Sequence, residues 1–123
     1  LDCSIIKYLP VNLEHLTLSR VSGDLKFFTH IQRLTSLRSL KVSFAKGFRS
    51  WMMKYISKLH NLEILFLDNP NRFDPRSLSD LTGLFKLKKI TVRGNTTKIK
   101  HESFTCLSHL KGLEVEVVDR WCY

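Results

Sequence analysis

Apolar residues recur along the chain in a phrase whose spacing changes partway. The spacings are three, three and two residues in the central copy, which consists of Leu59, Leu62, Leu65 and Leu67. A spacing of three is typical of the end of a helical turn, whereas a spacing of two predicts a short strand with one buried face. The central copy therefore predicts a helical segment that turns into a β-strand.

Four further stretches carry the same phrase. The second apolar residues of the five copies lie at nearly equal intervals along the chain, at Leu13, Leu37, Leu62, Leu87 and Leu110. We therefore predict a single domain, residues 1–123, built from about five repeats. The predicted strands cover residues 13–18, 37–42, 62–67, 87–92 and 110–118, and Leu113 is the alternative start of the last one.

Repeats of about 25 residues with this spacing resemble those of the leucine-rich repeat family, and the resemblance covers nearly the whole chain. It implies an α/β solenoid, a right-handed β-α superhelix with short parallel strands on its concave face and helices or irregular turns on its convex face. The family often has Asn at the ninth position of the repeat. Here that position is occupied by Val21, Ala45, Pro70, Asn95 and Val118. Such irregular repeats are similar to those of plant-type nucleotide-binding immune receptors and F-box proteins.

The segments between the strands carry signals for helix starts. Asp24 is a good N-cap residue, and Asp74 followed by Pro75 combines a cap with proline at the first helical position. The clearest helical pattern covers residues 49–59, where Ser50 could serve as the cap. Cys106 lies at the apolar end of such a segment, so we expect it in the core.

The composition is that of a globular domain with a basic surface. Twenty Lys and Arg residues against 11 Asp and Glu give a formal net charge of +9. Such a surface favours acidic partners, nucleic acid or anionic lipid, although solubilising charge on a solvated face gives the same excess. No apolar run approaches the roughly 18 residues of a membrane helix, so we expect no membrane insertion. Leu1 falls within a repeat and polar end caps are not apparent, so we expect a piece of a larger multidomain chain.

The sequence offers little for catalysis or metal binding. The five His residues are scattered, and the three Cys residues form no Cys-x-x-Cys pair. No nucleophile elbow, phosphate loop or zinc-protease motif occurs. We therefore expect a non-enzymatic protein without a cofactor or a metal site.

The predicted binding site follows from strand alternation and from the resemblance. Residues between the buried ones point to the opposite face, which in leucine-rich repeat proteins is the usual ligand surface. Ile64 and Phe66 would lie exposed side by side, and an apolar pair ringed by charge is typical of a binding hot spot, although single exposed apolar residues are common. The predicted ligand-binding residues are Lys41, Ile64, Phe66, Asp68, Lys89, Thr91 and Arg93. The predicted outward positions of the fifth repeat are Gly112, Glu114 and Glu116.

The resemblance implies recognition of a protein ligand, with acidic character favoured by the net charge. The leading interpretation is the sensing part of a cytoplasmic innate immune receptor, and an F-box ubiquitin-ligase substrate receptor is the first alternative. An extracellular receptor is the second, for which Asn95 begins a glycosylation sequon. Nucleic-acid binding through the basic run 86–100 is the third, and this run lacks the interleaved aromatic residues that such binding typically uses.

Overall fold

A computed structural model of the chain describes residues 2–45, 47–68, 74–94 and 99–119. Within these ranges, strands alternate with short helical segments. The strands are β1 (His15–Val21), β2 (Ser39–Phe44), β3 (Ile64–Asp68), β4 (Lys89–Gly94) and β5 (Glu114–Asp119). The helical segments are the 3-10 helices Cys3–Tyr8, Leu25–Arg33, Ser50–Met52, Pro75–Leu81 and His101–Leu107 and the α-helix α1 (Met53–Ile56).

The five strands form one sheet in chain order, and every neighbouring pair is parallel. The chain distance between paired residues is nearly constant across the sheet. It can be followed along the core-facing row of paired residues, which consists of Leu16, Leu40, Leu65, Ile90 and Val115. Parallel neighbours need a crossover connection, which the helical segments supply.

The strands begin later than the spacing predicts. The first four start two residues after their predicted positions, because the leucine expected at the strand start lies in a turn instead. The amides of Leu37, Leu62 and Leu87 donate hydrogen bonds of 3.1, 3.0 and 3.1 Å to carbonyls three residues earlier. The same turn precedes β1 at Leu13 and β5 at Leu113, with distances of 3.3 and 3.2 Å.

The fifth repeat was predicted in the wrong register. Its strand begins at Glu114 rather than near residue 110, because Ile90 pairs with Val115 and not with Leu113. Gly112 therefore lies in the preceding turn, where it adopts a φ of 78°, and not on the sheet. The outward positions of this strand are Glu114, Glu116 and Val118.

The core lies between one face of the sheet and the helical segments. Leu40, Leu65 and Ile90 in the central strands are completely buried, as are Phe28 and Ile56 from the helical layer. Burying each such side chain contributes about 1.5 to 3 kcal/mol. The end strands are less covered. Leu16 of β1 and Val115 and Val117 of β5 are only half-buried, although Leu18 and Val21 of β1 are buried.

Two of the predicted helix starts are confirmed. The Asp24 carboxylate accepts a hydrogen bond of 3.0 Å from the Lys26 amide, and Asp74 accepts one of 2.9 Å from the Arg76 amide. Pro75 occupies the first helical position after Asp74. Both caps satisfy amides that have no partner inside the helix.

The helix predicted over residues 49–59 is present but shorter, and it is not one continuous α-helix. The segment is a 3-10 turn followed by the short helix α1, and the turn that leads into β3 begins at Leu59. Ser50 does not cap it, because its hydroxyl accepts a hydrogen bond of 2.6 Å from the Asp74 amide in the next repeat. Cys106 is exposed rather than buried, whereas Cys3 is buried.

Other predictions concern parts of the chain that the structure does not describe. Asn95, the predicted glycosylation residue, lies outside the described residues, as does Pro70. Within the described ranges, none of the helical segments has both the length and the apolar character required to cross a membrane.

Candidate functional site

The face of the sheet opposite the core is called the open face here. Because the strands pair in register, its outward residues form rows that run across the strands. The first row holds His15, Ser39, Ile64, Lys89 and Glu114. The second row holds Thr17, Lys41, Phe66, Thr91 and Glu116. The third row holds Ser43, Asp68, Arg93 and Val118.

Ile64 and Phe66, the predicted apolar pair, differ in how far they reach solvent. Ile64 is 40% exposed, as predicted for a residue on this face. Phe66 is only half-buried rather than fully exposed, because the guanidinium carbon of Arg93 lies 5.1 Å from its ring centroid. This distance is within the range of a cation–π contact. Ile64 is therefore the better exposed apolar contact of the two.

Arg93 and Asp68 form a two-pronged ion pair on this face. Nε and one terminal nitrogen of Arg93 each donate to a different carboxylate oxygen of Asp68, both at 3.2 Å. The hydrogen bond to Asp68 raises the pKa of the Arg93 guanidinium above its usual value. Asp68 is only 6% exposed, and its carboxylate and the Arg93 guanidinium neutralise each other within the fold. Arg93 was predicted as a ligand-binding residue, and in the structure its guanidinium is paired with Asp68.

The remaining predicted site residues divide into buried and accessible ones. Thr91 is 6% exposed and offers little surface to a ligand, because it lies between Phe66 and Glu116 in its row. Lys41 is exposed and Lys89 is half-buried. Neither lysine forms an ion pair with another residue in the described ranges. Both are therefore available to an anionic group.

A shallow depression of about 380 Å³ opens on this face towards the ends of β1, β2 and β3. Arg20, which was not predicted as a site residue, lines it. A bulge between Leu18 and Val21 inserts an extra residue into β1, and Arg20 adopts a left-handed φ of 53° there. In the sequence, this bulge corresponds to a spacing of three between the buried residues Leu18 and Val21, whereas their partners in β2, Val42 and Phe44, are two residues apart.

The depression suits an anionic group better than a cationic one. Its lining includes three cations, Arg20, Lys41 and Arg93, against the single carboxylate of Asp68. Hydroxyl groups of Thr17, Ser19 and Ser43 also line it and can donate hydrogen bonds.

The described residues hold no group of three His, Cys, Asp or Glu side chains placed to bind a metal ion. His15 lies in the first row, whereas the hydroxyls that line the depression lie outside that row. The cations and hydroxyl groups that line the depression can hold charged and hydrogen-bonding groups by complementary contacts.

A second polar surface lies along the edge where the strands begin. Arg38 donates to Glu63 at 2.8 Å and to Glu14 at 3.4 Å, and Lys88 lies 3.2 Å from Glu63. Hydrogen bonds from Arg38 and then Lys88 lower the pKa of Glu63. Beside them, Lys86 donates a hydrogen bond of 2.8 Å to Asn61. These pairs link neighbouring repeats.

The described residues of the basic run 86–100 are divided among different surfaces, and Lys98 lies outside the described residues. Lys86 and Lys88 belong to the strand-start edge, whereas Lys89 and Arg93 face the open side. Lys100 precedes the helical segment His101–Leu107 on the core side of the sheet. These described charges therefore do not form one stripe on a single surface.

No protein-family model and no curated protein matches the chain. Function is therefore inferred from the open face and its charges.

Proposed function

We propose that the chain is a leucine-rich repeat solenoid that recognises a protein ligand through the open face of its sheet. The supporting observation is the near-constant chain distance between paired residues of successive parallel strands. Stacked repeats with one strand and one helical segment each are typical of that architecture. In this proposal the open face is the concave surface of the superhelix.

The open face has the features of a protein-binding surface. It is assembled from five strands, so the array positions its side chains more rigidly than a loop would. Ile64 offers an exposed apolar contact near the centre, and Lys41 lies on the neighbouring strand. A central apolar contact with a polar rim is the usual arrangement of an interface. The accessible cations around the depression favour a ligand with acidic groups.

The module is non-enzymatic in this proposal, and it belongs to a larger cytoplasmic receptor. Its role as the sensing part of an innate immune receptor is proposed from the resemblance of its irregular repeats. The open face would then supply specificity, and other parts of the receptor would supply the response.

A binding titration with paired variants tests the open-face site. The ligand would be captured with the full-length protein, purified and titrated against the chain. Ile64→Asp should weaken binding by about tenfold or more, since it places a charge in a desolvated contact. The matched control is Lys54→Glu on α1, which changes charge on the opposite side and should bind like the wild type. If the control variant loses binding and Ile64→Asp does not, the open-face site is wrong and the binding site lies on the helical side.

A further inference from the structure

Charge on the open face is separated along the direction that crosses the strands. Arg20 on β1 and Lys41 on β2 are exposed cations, and Glu114 and Glu116 on β5 are exposed carboxylates. Ile64 on β3 lies between the two groups and is 40% exposed. The exposed charged and apolar residues Arg20, Lys41, Ile64, Glu114 and Glu116 therefore run from basic through apolar to acidic across the sheet.

These four charged side chains are not neutralised within the described ranges. Every ion pair found there joins other residues, and the hydrogen bonds to side chains also leave these four out. Arg93 and Asp68 lie between the two groups, and they compensate each other. Lys89 on β4 is a half-buried cation beside Glu114 and joins none of these ion pairs. An occupant would therefore experience a basic end at β1 and β2 and, beyond Ile64 and Lys89, an acidic end at Glu114 and Glu116.

We infer that the open face binds an extended protein segment that lies across the strands and carries opposite charges at its two ends. Acidic side chains of the segment would contact Arg20 and Lys41, and basic side chains would contact Glu114 and Glu116. An apolar side chain between them would pack on Ile64. This inference rests on the proposed function and adds the charge order and the direction of the ligand.

The register fixes the spacing that the segment needs. Lys41 and Glu116 belong to the same row, in which Phe66 and Thr91 lie between them. Three steps between adjacent strands of about 4.8 Å each place their Cα atoms about 14 Å apart. An extended chain rises about 3.3 Å per residue, so its charged groups should be roughly four residues apart.

The same charge order disfavours two other occupants. A nucleic-acid backbone is uniformly negative, so Glu114 and Glu116 would repel it at one end of the row. A uniformly acidic segment would meet the same repulsion. Opposite potentials across an interface fix the register of a partner and suppress wrong ones.

A peptide selection with the 123-residue chain tests the inference. Short random peptides displayed on phage are selected on the immobilised chain, and enriched sequences are synthesised and titrated by fluorescence anisotropy. Enriched peptides should carry Asp or Glu roughly four residues from Lys or Arg, with an apolar residue between them. Lys41→Glu and Glu116→Lys should each weaken binding by about tenfold. The double variant should prefer a peptide in which the acidic and basic residues are exchanged.

Matched controls and the other outcomes separate this inference from the proposed function. Lys54→Glu and Glu102→Lys change the same kinds of charge on the helical side and should leave binding unchanged. If the enriched peptides are uniformly acidic and their binding depends on Lys41, the proposed charge order is wrong, but the open face is still supported as the binding site. Peptides insensitive to Lys41, Ile64 and Glu116 variants would overturn both. If the selection enriches no sequence, the inference that an extended segment occupies the face is wrong. The titration of the captured ligand then still tests whether the open face is the binding site.

Discussion

Arg93 covers Phe66: its guanidinium carbon is 5.1 Å from the ring centroid while two of its nitrogens bond to Asp68. Three residues that the sequence predicts as separate ligand contacts are thus one packed unit. Removing any of them should affect folding as well as binding.

Phe66→Ala should therefore lower stability by about 1 to 2 kcal/mol, from lost apolar burial and a lost cation–π contact. Urea unfolding followed by circular dichroism measures the change. Phe66→Leu, which keeps most of the apolar area, should lose about 0.5 to 1 kcal/mol. An unchanged unfolding midpoint for Phe66→Ala would show that Arg93 does not hold the ring.

Leu65→Ala should cost about 2 to 5 kcal/mol, because it leaves a cavity at a completely buried position of the central strand. The matched control is Ile64→Ala, one residue away on the open face, which should cost well under about 1 kcal/mol. Chemical denaturation of both variants gives the comparison. Equal losses at the two positions would contradict the assignment of faces in β3.

Glu63 should contribute to stability at neutral pH and lose that contribution in acid. Its pKa is lowered in the folded state, chiefly by the hydrogen bond from Arg38, so the folded chain binds this proton less readily than the unfolded chain. The contribution is complete above the unfolded value of about 4.3 and is lost as pH falls through the lower folded value. Urea midpoints measured from about pH 7 to 3 should fall less steeply for Glu63→Gln than for the wild type. Identical pH profiles would exclude a role for the Arg38 pair.

The thiols of Cys3 and Cys106 should react very differently in the folded chain. Cys3 is completely buried, and burial followed by the charges of Asp2 and Asp24 raises its pKa to about 11. Cys106 is exposed. Iodoacetamide at about pH 8 should label Cys106 and leave Cys3 unmodified, as peptide mass spectrometry can show. Urea should expose Cys3, and rapid labelling without urea would contradict its place in the core.

Much of the fold was predictable because it depends on short-range spacing. The leucine phrase placed the first four strands to within two residues at their starts, and Asp24 and Asp74 marked helix caps correctly. The sequence-based predictions were wrong where contacts with a neighbouring repeat determine the local structure. The register of β5 is set by its pairing with β4, and Ser50 binds Asp74 rather than its own helix.

The candidate site was less predictable for the same reason. Alternation correctly placed Ile64 and Lys41 on the open face, since Leu40 and Val42 beside Lys41 and Leu65 beside Ile64 are buried. It could not show that Arg93 would reach Asp68 and Phe66, because both belong to the preceding strand, a full repeat earlier in the chain. It also missed Arg20, because the bulge in β1 interrupts the alternation.

The constant register between strands also bears on how the chain folds. Every strand pairs with the strand that comes next in the chain, so each pairing closes a loop of nearly the same modest length. The entropy cost of loop closure is then nearly equal for all four pairs, and no pairing must wait for the chain ends to meet. Folding can start at whichever adjacent pair forms first and extend in both directions. The core-facing residues of β2, β3 and β4 are all almost completely buried, so we expect the nucleus among these central strands.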